Sequence, residues 1–261
     1  MPNFAANLTM MFTEWAFLDR FEAARDAGFS AVEFLFPYEH WPEDVAKQLE
    51  RCNLQMALFN LPAGNWAAGE RGVAALPERF NDLQTMVEKA MVYATATKAK
   101  RLHLMSGLAD RQDQQAQLAY RKSVCWTAER LAKNGLDLVL EPINPRNMPG
   151  YFLNDFNYAH QLITELALPN LKLQFDIYHR QIIHGDVATA LQAMMPLIGH
   201  VQIASVPHRH EPETGELNDR FLFNLLDQLG YEGFVGCEYH PAGETLAGLS
   251  WFSDYAQKDL S

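Results

Sequence analysis

Glu141, Asp176, Gln202 and Glu238 stand about 30 residues apart, the length of one strand-plus-helix repeat, and each ends a short run of apolar residues. Side by side they would form four oxygen donors, three of them anionic. Such a group repels itself in a low-dielectric site unless a cation neutralises it, and hard oxygen donors suit Mg²⁺ or Mn²⁺ better than zinc. A single strand-end acid more often caps the next helix or pairs with Lys or Arg. Four of these residues at the same end of consecutive strands point instead to a bound divalent metal. His103 closes another such run and is a candidate substrate contact, with a satisfied core histidine as the alternative.

A set of parallel strands must position these groups. Eight runs rich in Val, Ile, Leu and Phe, at 4–7, 31–35, 55–60, 101–105, 137–141, 171–176, 200–204 and 234–239, alternate with segments of helical period. Eight such units closing on themselves make a (β/α)8 TIM barrel, an α/β fold for which 261 residues is the usual size of one domain, 1–261. Chemistry in this architecture sits at the C-terminal strand ends, and those ends carry Asn7, Glu33, Asn60, His103, Glu141, Asp176, Gln202 and Glu238. In the sixth run Leu171, Leu173 and Phe175 alternate with Lys172, Gln174 and Asp176, which turns Asp176 into the barrel. Phe17, Phe21 and Ala24 repeat at helical spacing with Gly28 as a stop, and Pro42 suits the first turn of the second helix. The longest connection, 61–77, reads LPAGNWAAGERGVAALP. It is expected to act as a lid in which Trp66, Glu70 and Arg71 exclude water, with an ordered Ω-type loop as the alternative.

A net charge of -11 and a pI near 5.2 work against a nucleic-acid partner, which would draw on clustered Lys and Arg. Cys52, Cys125 and Cys237 are widely separated and show no CxxC spacing, so neither a disulfide framework nor a thiolate zinc site is indicated. With no basic segment ahead of an apolar run at the N-terminus and no membrane-spanning stretch, a reducing, cytoplasmic setting is expected.

The segments AANLTMMF, LPAGNWAAGERG, VLEPIN, QFDIYH, HVQIA, PHRHEP and GCEYHP occur in this order, and together they resemble the hydroxypyruvate isomerase family, including the related 2-oxo-tetronate isomerases. The similarity runs from Asn3 to Phe252. It implies a xylose-isomerase-like TIM barrel in which Glu141, Asp176, Gln202 and Glu238 hold a divalent metal and the two glutamates move protons. It also implies His179, in DIYH, and Arg209, in PHRHEP, as substrate contacts, and a homo-oligomer. Two positions depart from neighbouring patterns. Gln202 stands where many sugar epimerases of the wider superfamily place a metal-binding His. His240 stands where relatives carry Lys, and it would bind a substrate carboxylate only when protonated.

Such an enzyme would interconvert hydroxypyruvate and tartronate semialdehyde through an enediolate, a carbonyl shift that suits two positioned bases and a cation chelating the substrate oxygens. The planar fork of Arg209 matches a substrate carboxylate. A four-carbon 2-oxo-tetronate substrate, a ketose 3-epimerase and a non-catalytic sugar-acid binding protein are the alternatives.

Overall fold

The structure is a computed structural model and describes residues 1–256. Eight parallel strands, β1 (Asn3–Asn7), β2 (Ala31–Phe34), β3 (Gln55–Asn60), β4 (Arg101–His103), β5 (Asp137–Leu140), β6 (Leu171–Asp176), β7 (Ile198–Ile203) and β8 (Phe234–Cys237), pair in sequence order, and β8 returns to β1 to close the barrel. Around them lie α1 (Arg20–Asp26), α2 (Pro42–Cys52), α3 (Phe80–Thr97), α4 (Gln114–Ala132), α5 (Phe156–Leu166), α6 (Ile177–Ile183), α7 (Val187–Met194), α8 (Asp219–Gln228) and the short α9 (Ser253–Ala256). The expected α/β barrel is the one observed, and Pro42 opens α2 as expected. Phe21 and Ala24 bury the inner face of α1, and Gly28, at φ 96°, ends that turn.

Several strands stop earlier than the apolar runs suggest. β5 ends at Leu140 because Pro142 has no N–H with which to extend the ladder, so Glu141 lies just past the strand. Glu238 likewise follows β8, and β4 ends at His103 rather than at residue 105.

Inside the barrel Ala5, Ala31 and Ala57 form a small apolar cluster with Phe234 packed against it. Two residues further along β1 and β2, on the same inward face, the side chains become Asn7 and Glu33. In register, Asp176 pairs with Gln202, and Gln202 with Gly236. A side chain at Gly236 would collide with the Glu33 carboxylate, so this glycine makes room for a buried acid. Among the described residues no helix is long and apolar enough to cross a membrane, and the three cysteines are free.

Candidate active site

Two polar clusters adjoin inside the barrel. The deeper one centres on Glu33, whose Oε1 accepts from Asn7 Nδ2 (3.0 Å) and Gln202 Nε2 (2.8 Å) and whose Oε2 meets His200 Nε2 at 2.6 Å. Asn7 Oδ1 is itself pinned by the Thr9 N–H, which turns the Asn7 amide nitrogen toward Glu33. Because Glu33 takes the Gln202 nitrogen, the Gln202 oxygen faces the other way, where Gln174 Nε2 donates to it at 2.6 Å. An amide oxygen has a second lone pair, so Gln202 keeps the capacity to ligate a cation.

The second cluster lies at the mouth. Asp176, the last residue of β6, is also the N-cap of α6, and its Oδ1 accepts the His179 N–H at 3.1 Å. One helical turn brings the His179 ring back over it: Nε2 lies 3.6 Å from Asp176 Oδ2 and 3.7 Å from Glu141 Oε1. Ligand atoms of Glu141, Asp176 and His179 all fall within 4.8 Å of one another and could hold a metal. Both oxygens nearest the imidazole, Glu141 Oε1 and Asp176 Oδ2, are buried without a hydrogen-bond partner. Across the mouth Arg209 Nη2 donates to Glu238 Oε2 at 2.9 Å and lies 3.7 Å from Asp176 Oδ2. His103 faces Asn60 Oδ1 at 3.1 Å and Glu141 Oε2 at 3.7 Å.

Burial dominates the electrostatics here. It raises the Glu141 carboxyl well above the usual range, and the neighbouring Glu238 and Asp176 charges push the same way. Glu238 is pushed up to about 8 by burial despite the opposing Arg209, and Asp176 is raised by burial against the pull of Arg209 and backbone N–H groups. His103 is driven down to about 3 and His179 well below its usual value, both chiefly by burial, so both imidazoles are neutral at physiological pH. Glu141 and Asp176, each with one orphaned buried oxygen, together with the nearby Gln202 amide oxygen, make a donor set that fits a hard divalent cation, while Glu238, across the mouth, is turned to Arg209.

The His179 tautomer is set from behind. Asn144 Oδ1 accepts the Asn147 N–H at 2.9 Å, so the Asn144 Nδ2 is the atom that meets His179 Nδ1, at 2.6 Å, and the Asn144 backbone N–H points to the same nitrogen at 3.4 Å. Facing two donors, Nδ1 must accept, and the ring proton of neutral His179 therefore sits on Nε2, toward Glu141 and Asp176. An Nε2–H is a donor rather than a metal ligand.

The mouth opens into a cleft of about 240 Å³, below the size of drug-binding pockets, lined by Glu141, Glu238, His103, His179, Arg209 and the loop residue Arg71, among others. Asp176 and Gln202 lie beneath that lining. The expectation for Arg209 meets a competing contact: its Nη2 and Nε are turned to Glu238, and its guanidinium carbon is 5.0 Å from the Tyr178 ring. It is held there with φ 57° by bonds from its own N–H to Ser205 O and from the His240 N–H to its carbonyl. His240 itself is exposed, does not line the cleft, and is kept below its ordinary pKa by burial of part of the ring and by Arg209. Its backbone N–H holds the Arg209 carbonyl, and its imidazole lies outside the cleft lining.

The 61–77 connection is strapped down. Gly72 bridges Ser106, Gly107 N–H donates to Arg71 O (3.1 Å) and Ala75 N–H to Ser106 O (2.7 Å). Trp66 and Arg71 reach the cleft, whereas Glu70 turns to Arg79 and the Asn65 N–H. Asn144 received no role from sequence, although its place three residues after Glu141 in VLEPIN was its one signal.

Comparison with known proteins agrees with this geometry. The family model described as "Xylose isomerase-like TIM barrel" matches residues 21–255. A 2-oxo-tetronate isomerase of Cupriavidus necator is 49% identical over 98% of this chain and 99% of its own length, and the hydroxypyruvate isomerase of Escherichia coli is 41% identical over 98% and 100%. A solved Brucella melitensis structure, described as an AP endonuclease of family 2, superposes with a TM-score of 0.96 at 46% identity, covering 98% of this chain and 99% of that one. By these full-length matches the chain belongs to the xylose isomerase-like TIM barrels, in the group of the hydroxypyruvate and 2-oxo-tetronate isomerases, and is an isomerase.

Proposed function

We propose that the chain is a metal-dependent isomerase that converts a short 3-hydroxy-2-oxo acid into its 2-hydroxy-3-oxo isomer, hydroxypyruvate to tartronate semialdehyde in the three-carbon case. The observation that carries this reading is the convergence of Glu141, Asp176 and Glu238, two of them with an unpartnered buried oxygen, on a cleft sized for a small molecule. Glu141, Asp176, Gln202 and Glu238 would hold Mg²⁺ or Mn²⁺, which when bound would stabilise negative charge developing on the substrate oxygens. Glu141 and Glu238 sit past β5 and β8 on different sides of the mouth. One takes the proton from C3 as the C2 carbonyl becomes an enediolate; a proton is then delivered to C2 while the hydroxyl proton passes from O3 to O2 and the carbonyl re-forms at C3. Neutral His179 donates from Nε2–H to a substrate oxygen, and neutral His103 orients Glu141 from the other side.

The 49% identity to a 2-oxo-tetronate isomerase favours the four-carbon acid as a second reading, and the chemistry is the same. The endonuclease description of the Brucella protein fits less well, because a 240 Å³ cleft in a chain of charge -11 does not suit a polynucleotide. Turnover of hydroxypyruvate and of 2-oxo-tetronate by chelator-stripped protein, before and after Mg²⁺ or Mn²⁺ is restored, tests the reading. Activity that returns with the metal supports it. Failure on both acids with metal bound and the fold intact overturns it.

A further inference from the structure

A substrate that carries a carboxylate must place that charge beside the two carbons being worked on, above a floor that already holds three carboxyl groups. Among the described residues lining the cleft, the lysines and arginines are Arg71 and Arg209. Arg209 is committed to Glu238 through Nη2 and Nε, and to the face of Tyr178. Arg71 is differently placed. Its guanidinium carbon lies over Trp66, 3.9 Å from the ring centroid, and Trp66 in turn packs on Phe36. Its Nη1 donates to two carbonyls of its own loop, Trp66 O at 3.1 Å and Glu70 O at 2.8 Å. Its backbone carbonyl is held by the Gly107 N–H, and the next residue, Gly72, at φ 105°, packs so closely against residues 105 and 107 that no side chain fits. Backbone, guanidinium position and one nitrogen are thus fixed, while Nε and Nη2, the side-on edge that matches a carboxylate with two parallel N–H bonds, make no hydrogen bond among the described residues.

We infer that Arg71, rather than Arg209, is the residue that recognises the substrate carboxylate, and that it selects hydroxy-keto acids over neutral ketoses of the same length. The inference rests on the isomerase reading above and names the acid-recognising group within it. Stacking and backbone anchoring reduce the side-chain freedom lost on binding, which is what a specificity contact for a three- or four-carbon ligand requires. Arg209 then keeps Glu238 in place and balances its charge.

The test compares wild type, Arg71→Lys and Arg71→Met, supplied with Mn²⁺, on hydroxypyruvate and on dihydroxyacetone, its neutral counterpart with CH₂OH in place of the carboxylate. D-glycerate, which has no carbonyl to react, is titrated calorimetrically as a binding probe. For Arg71→Met the acid-to-neutral ratio of kcat/KM should fall on the order of 10- to 100-fold, mostly through KM, with a parallel loss of glycerate affinity. Arg71→Lys should recover part of both, because it keeps the charge and loses the fork. A ratio unchanged in Arg71→Met, or acid and neutral turnover falling together, overturns the assignment while leaving the isomerase intact. A wild type that neither turns over hydroxypyruvate nor binds glycerate sinks the isomerase reading, and the role of Arg71 with it.

Discussion

The network around Glu33 and the cluster around Glu141 are neighbours in one barrel interior, yet their buried carboxylates are treated differently. Glu33 has both oxygens occupied, by Asn7, Gln202 and His200. Glu141 Oε1 and Asp176 Oδ2 make no hydrogen bond among the described residues, and burial raises both carboxyl groups. A buried acid that is fully hydrogen-bonded is architecture: it fixes neighbouring amides and holds strands in register. A buried acid left with unmet capacity costs the fold stability, and its persistence at a strand end marks where a ligand and a reaction belong.

The sharpest separation of the two clusters is by activity against stability. Glu141→Gln or Glu238→Gln should lower kcat for hydroxypyruvate by about 1,000-fold or more with little change in the urea midpoint. Glu33→Gln should act chiefly on stability, costing about 2–3 kcal/mol of unfolding free energy because the new amide nitrogen cannot accept the hydrogen bonds of the oxygen it replaces, with a smaller kinetic loss of about 10-fold passed on through Gln202. Equal kinetic losses in both clusters would erase the distinction.

Within the mouth cluster, Mn²⁺ titration calorimetry separates ligands from donors. Asp176→Asn should weaken the ion by about 100-fold, whereas His179→Asn should shift affinity by only about 3-fold while still slowing turnover, because the proton is on Nε2. Collapse of ion binding in His179→Asn would make His179 a ligand and overturn the tautomer argument.

The close fit of the deeper network predicts that Gly236→Ala destabilises the protein by about 2 kcal/mol in urea unfolding, as Glu33 is displaced. A neutral result would mean that Glu33 has room to move.

The smallest effect concerns Asp219, a buried acid outside both clusters, whose Oδ2 accepts the Glu213 N–H and whose Oδ1 has no partner. Burial raises it from 3.8 to about 6. Between about pH 4 and pH 6 the unfolded chain has released this proton and the folded chain still holds it, so the contribution to stability falls as pH rises and levels off above 6. Asp219→Asn should therefore gain about 1–2 kcal/mol relative to wild type on going from pH 4 to pH 7, without changing kcat. A pH-independent difference would show that the Asp219 proton is not held by the fold.

The barrel and the mouth acids were legible in the sequence because they depend on local pattern. Alternation within one strand turns Asp176 inward, and strand ends gather Glu141 and Glu238 on one face. DIYH sets His179 one turn along the helix from Asp176. What sequence did not disclose depends on side chains far apart in the chain. The Gln202 amide is oriented by Glu33, 169 positions away, and the His179 proton is placed by Asn144, on another strand's loop. Arg209 was matched to a substrate carboxylate by its chemistry, but a glutamate of the next strand reaches it first. Glu70 was expected over the site and instead answers to Arg79, outside the loop.

The 61–77 loop is sewn to residues 105–107 near its Gly72 end, while a side chain built at Gly69, close to its tip, would meet nothing within 4 Å. The crest has open space around it, but Gly69 at φ 93° suits no side chain, so changes are better borne at the exposed neighbours 67 and 68 than at Gly69 itself. Residues 67–69 do not line the cleft, so remodelling there should leave Trp66, Arg71 and the acids beneath them in place. Gripping the barrel and facing solvent thus fall to separate stretches of one short segment.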